Sequence, residues 1–123
     1  MLTNALAIFI GGGLGSLARF GVSMFVFTRM KGIMPWGTIA TNVLACILMA
    51  LIITRSSDLG LERTLLKPLL IIGFCGGFST FSAFSYETIE LIRSGNTIFA
   101  IANVAISISL CLFLIFFIQK TVV

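Results

Sequence analysis

The chain has 123 residues, 59% of them hydrophobic and 10% charged, and its mean hydropathy of +1.17 lies well outside that of a soluble domain. Eight Lys and Arg against four acids give a net charge of +4. The basic residues are scattered along the loops without a basic run, so they read as headgroup anchors, and a nucleic-acid partner is set aside. With no histidine and only four acids, a transition-metal or Ser-His-Asp active site lacks its parts, and the chain is expected not to be an enzyme.

A helical span needs about 20 mostly apolar residues, and four such stretches fit end to end with short polar breaks between them. The first runs over 5–28 and is closed by Arg29, Lys31 and Gly32. Met1 to Asn4 carry no basic side chain and the apolar stretch outruns a signal h-region, so it is read as a mature helix. The second span covers 35–54, with Pro35 expected at its first helical position. The loop to Lys67 holds Asp58, Glu62 and Arg63 and is expected to carry a short interfacial helix. The third span covers 68–92 and ends in the turn Arg93-Ser94-Gly95-Asn96; the fourth covers 97–118 and ends at Gln119 and Lys120. The fold class expected is therefore all-α, a single four-helix transmembrane domain over residues 1–123.

The third span is the unusual one. Its middle, Gly73 to Ser85, places the adjacent glycines Gly76 and Gly77 before a run of hydroxyl residues and phenylalanines. Such a run weakens a helix and leaves carbonyls without their usual partners. At membrane depth a break is tolerated only where the loose backbone is buried in protein, lines water or holds an ion. Small residues for close helix packing would produce some of the same pattern.

Other motifs have two readings each. Gly11 and Gly15 share a face of the first span and suit close packing. Gly13, Gly15 and Ala18 match the dinucleotide-binding spacing by chance, since no strand precedes them. Arg19 continues the Gly15 face as a fixed charge inside an apolar segment, which either snorkels to an interface or draws anions into a wet vestibule. Asn42, in the second span, offers two amide donors for a dehydrated anion, and equally for a neighbouring helix. Asn103, Ser107 and Cys111 form one stripe on the fourth span, either a wet path or a polar helix contact. Glu90 lies near the turn, and Glu87 suits a vestibule or an ion pair. The three cysteines, Cys46, Cys75 and Cys111, all lie in apolar stretches, with no spacing that suggests a disulfide framework or a metal site.

Taken together, Gly12, Gly13, Gly15 and Arg19, then Pro35, Gly37, Thr38 and Asn42, and above all the string Gly76 to Glu87, resemble the CrcB family of fluoride channels, also called Fluc. The resemblance covers nearly the whole chain. It implies a broken third helix, an antiparallel dual-topology homodimer, and fluoride passing out of a bacterial cell across the inner membrane. By position it implies Phe81 and Phe84 as pore phenylalanines, Asn42 as the pore amide, and Ser107 with its neighbours Asn103 and Cys111 as the polar track. Ser82 would supply a further hydroxyl. A structural sodium ion, the expected cofactor, would be held by the carbonyls of Gly76 and Ser79.

Two alternatives are a small multidrug exporter and an accessory membrane subunit. The first needs a membrane-embedded acid in the first span, which has none. The second gives no reason to combine a glycine break, paired phenylalanines and a deep arginine. Orientation can be read by counting. Arg29, Lys31 and Arg93 fall on one side of the bilayer, against Arg55, Arg63, Lys67 and Lys120 on the other. So even a split sets almost no preference, and both orientations are expected.

Overall fold

The computed structural model describes residues 1–58, 60–61 and 64–122, and its regular elements are all helical. They are α1 (Leu2–Arg29), α2 (Trp36–Arg55), a π-wound segment (Pro68–Cys75), a short α3 (Gly76–Phe78), α4 (Phe81–Arg93) and α5 (Thr97–Val122). The π-wound segment, α3 and α4 together make one span of 26 residues, so four helical stretches are long and apolar enough to cross a membrane. The chain is a multi-pass membrane protein. Exposed large side chains such as Leu6, Phe9, Ile101 and Phe116 leave the outside of the bundle as apolar as its core, as lipid requires.

The ends of the helices follow from local chemistry. Pro35 sits at the N-cap of α2 rather than inside its first turn. The α4–α5 turn closes as a Schellman motif: Asn96 N–H donates to the Leu91 carbonyl and Gly95 N–H to that of Ile92. Gly95 adopts φ +80°, the left-handed conformation that this cap demands. At the end of α1 the Arg29 guanidinium lies 5.1 Å from the centre of the Phe25 ring, a cation–π contact suited to an interface. Of the expected interfacial helix, Glu62 and Arg63 lie outside the described residues, and the residues just after α2 form turns.

The tightest packing joins α1 to the third span. A Cβ on Gly73 would come 2.8 Å from the Ile8 carbonyl oxygen and 2.9 Å from Gly11 Cα. On Gly11, Gly15 or Gly77 it would overlap the carbonyls of Leu69, Phe74 or Gly12 respectively. These four glycines are a backbone-to-backbone seam, small because nothing larger fits. Gly76 and Gly13 are different, with nothing within 4 Å of a Cβ at either. On the opposite side α2 packs along α5 and α4 leans on α5, burying Thr41, Ala45, Ala50, Ala100 and Asn103.

The third span is interrupted two residues beyond the glycine pair. Gly76 and Gly77 keep helical geometry within α3, whereas Ser79 (φ −83°, ψ 159°) and Thr80 (φ −153°, ψ 118°) are extended. Gly77 is small in order to meet α1, and not because the helix ends there.

Candidate ion pathway

The break creates polar backbone that must be satisfied inside the protein. Asn42 does so from α2: its Oδ1 accepts from Thr80 N–H at 2.7 Å and its Nδ2 donates to the Thr80 carbonyl at 3.1 Å. The Thr80 side chain then starts α4, its Oγ accepting from Ala83 N–H at 3.1 Å in an N-cap. Ser79 Oγ bonds back to the Cys75 carbonyl at 2.9 Å, the local alternative through which serine weakens a helix end.

Beside this junction lies a groove of about 240 Å³. Asn42 and Cys46 line it from α2, and Ser79 and Thr80 from the break. Phe81 and Phe84 line it from α4; Ser107, Ile108 and Cys111 do so from α5. The Phe81 and Phe84 ring centres are 5.7 Å apart with planes tilted by 42°, and Phe81 is 79% exposed in the single chain. No charged residue lines the groove. Its polar resources are neutral. One Asn42 amide hydrogen is left over after Thr80, the Ser107 hydroxyl contributes, and the start of α4 presents amides with the positive end of the helix dipole.

The expected site residues separate into two groups. Asn42, Phe81, Phe84 and Ser107 meet in the groove. Ser82 instead shares a 3.1 Å hydrogen bond with Thr80 Oγ, and Asn103 is 1% exposed behind the wall. Asn103 Nδ2 donates to Thr88 Oγ at 2.9 Å, and Ser107 Oγ donates to Asn103 Oδ1 at 3.4 Å. Thr88 Oγ in turn donates to the Phe84 carbonyl at 2.7 Å. The stripe on α5 is thus continued onto α4 by a chain of side chains. Half-buried Arg19 lies away from the groove and forms no ion pair among the described residues. Glu87 Oε1 accepts from Thr38 Oγ at 2.7 Å, while its Oε2 is buried without a partner among the described residues. Sequence reasoning missed Thr80, Thr88 and Cys46. The signals for two of them were spacings: Cys46 one turn after Asn42 and Thr88 one turn after Phe84.

A family model described as CrcB-like protein, Camphor Resistance (CrcB), matches residues 6–118. The chain belongs to the CrcB family. A protein of Coxiella burnetii named fluoride-specific ion channel FluC is 41% identical over 110 residues, covering 89% of each chain. One of the same name from Geobacter sulfurreducens is 40% identical over 111 residues, covering 90% of each. A Shewanella relative, also so named, is 35% identical over 123 residues, covering 98% of this chain and 97% of its own. The CrcB match spans all four helices and both sides of the groove, so the break, the Asn42 clamp and the phenylalanine pair all lie within the family's shared region.

Proposed function

We propose that this chain is the subunit of a fluoride-specific channel that passes fluoride out of the cytoplasm down its electrochemical gradient, across the bacterial inner membrane. The observation that carries the reading is the neutral groove at the helix break, where the Asn42 amide and two phenylalanines on one helix face converge. An anion that sheds water needs donors without acidic neighbours. Amide hydrogens supply them, and aromatic edges, which carry the positive part of the ring quadrupole, can flank the path between them.

A homodimer in antiparallel orientation completes the reading. Two observations support it: the near-even distribution of loop charges and the 79% exposure of Phe81, which a second copy would cover. A structural sodium ion fits the same arrangement. In an unbroken helix Thr80 N–H would bond the Gly76 carbonyl, and Ala83 N–H that of Ser79. Here the first donates to Asn42 and the second to Thr80 Oγ. The two carbonyls expected to ligate sodium are therefore those whose helical donors have been diverted. Two chains would bring four such oxygens to a hard cation. The ion would hold the interface.

The decisive test is fluoride efflux from liposomes containing the purified protein, with chloride as comparison. Rapid fluoride release with negligible chloride release is expected; equal release of both, or of neither, would overturn the reading.

A further inference from the structure

Two of the three cysteines meet on the wall of the groove. Cys46 follows Asn42 by one turn of α2, and Cys111 follows Ser107 by one turn of α5. The two helices pack along each other, and both cysteines line the same groove. Both are free and half-buried and face the cavity. Cys75 is 0% exposed and does not line the groove.

Two thiols in one groove, with no His, Asp or Glu lining it, restrict the ligand. Among the described residues no group of three or more His, Cys, Asp or Glu could hold a metal, which disfavours zinc, whose structural sites take four ligands. Soft sulfur ligands select soft ions. A divalent ion content with two sulfurs gives a neutral complex with two thiolates, whereas a monovalent ion would leave a net negative charge at membrane depth, where charge is expensive. We propose that Cys46 and Cys111 together form a site for a soft, two-coordinate divalent cation of the mercury(II) class, and that its occupation closes the groove. Two S–H bonds and the ion's two bonds to chloride or water break, two metal–sulfur bonds form, and the protons and displaced ligands pass to water, with no change of oxidation state. The binding stands on the thiol pair alone; the closure rests on the groove being the fluoride path.

The test uses full-length protein in liposomes, treated with one equivalent of mercuric chloride, washed with excess monothiol, then denatured, labelled with maleimide and weighed intact. The unmodified chain should retain one mercury and accept one maleimide, at Cys75. Cys46→Ala and Cys111→Ala should each lose the metal in the wash and accept label on both remaining cysteines, while Cys75→Ala should retain mercury and accept none. Retention by either groove variant, or loss from the unmodified chain, would overturn the site. Fluoride efflux from the same liposomes should be lost with the metal and restored by a dithiol. Mercury retained with efflux unchanged would overturn the closure. No efflux before mercury would instead overturn the proposed function, and the masses would still decide the site.

Discussion

Asn42 and Thr80 exchange two hydrogen bonds across the interruption in the third span, so that one side-chain amide pairs both backbone polar groups of a residue that has left the helix. Removing that amide should damage both structure and conduction. Asn42→Ala leaves a buried N–H and a buried carbonyl unpaired, each worth about 1–3 kcal/mol. Asn42→Asp keeps the acceptor for Thr80 N–H but loses the donor and adds negative charge to an anion's path. Both variants should lose fluoride flux, with the larger drop in thermal stability in detergent for Asn42→Ala. An Asn42→Ala protein as stable as the unmodified one would contradict the clamp.

The phenylalanine pair gives a second prediction. Phe81→Ile and Phe84→Ile preserve bulk and apolarity but remove the aromatic edge. Each should lose most of its fluoride flux in liposomes while eluting as the same oligomer in size-exclusion chromatography. Unchanged flux from a correctly assembled Phe81→Ile channel would reduce the rings to packing.

The glycines should divide by environment and not by position in the motif. Gly77→Ala forces a methyl into the Gly12 carbonyl, and Gly11→Ala one into that of Leu69; both should lower yield and melting temperature sharply. Gly13→Ala meets nothing within 4 Å and should melt close to the unmodified protein. Gly76→Ala also has room within one chain. It should fold and yet dimerise more weakly, read by cross-linking at dilute protein-to-lipid ratios.

Orientation supplies a fourth prediction. A C-terminal tag should be accessible on both sides of the membrane in roughly equal shares, because the loop charges set so little preference. Tags found on one face alone would exclude the antiparallel assembly.

The four spans were legible in the sequence because lipid imposes a coarse rule on length and polarity. The boundaries expected at 5–28 and 97–118 fell short of Leu2–Arg29 and Thr97–Val122 because Leu2 and Thr121 continue a helix already paid for by its apolar body. The break was legible as a region but not to the residue. Gly76 and Gly77 look like helix breakers, yet both keep helical geometry, and Gly77 is small because it meets Gly12, while Gly76 has open space around a Cβ. Ser79 and Thr80 leave the helix because they have other partners, and one of these, Asn42, is 38 residues away. The π winding of Pro68–Cys75 had no local signal. In the groove, Asn42 and the two phenylalanines were readable from residue type and spacing, whereas the retreat of Asn103 behind the wall depended on Thr88 from another helix.

The glycine seam also fixes an order of events during synthesis. Gly11, Gly12 and Gly15 on α1 find their counterparts at Leu69, Gly73, Phe74, Gly77 and Phe78, with all of α2 lying between in the chain. A nascent protein whose first two spans have entered the bilayer therefore holds α1 with its notched face turned to lipid, which fills the notch poorly. The bundle is locked only when residue 77 has followed. A lesion in the third span would thus be felt first as a loose first helix, and such half-assembled chains are natural prey for the proteases that survey a membrane.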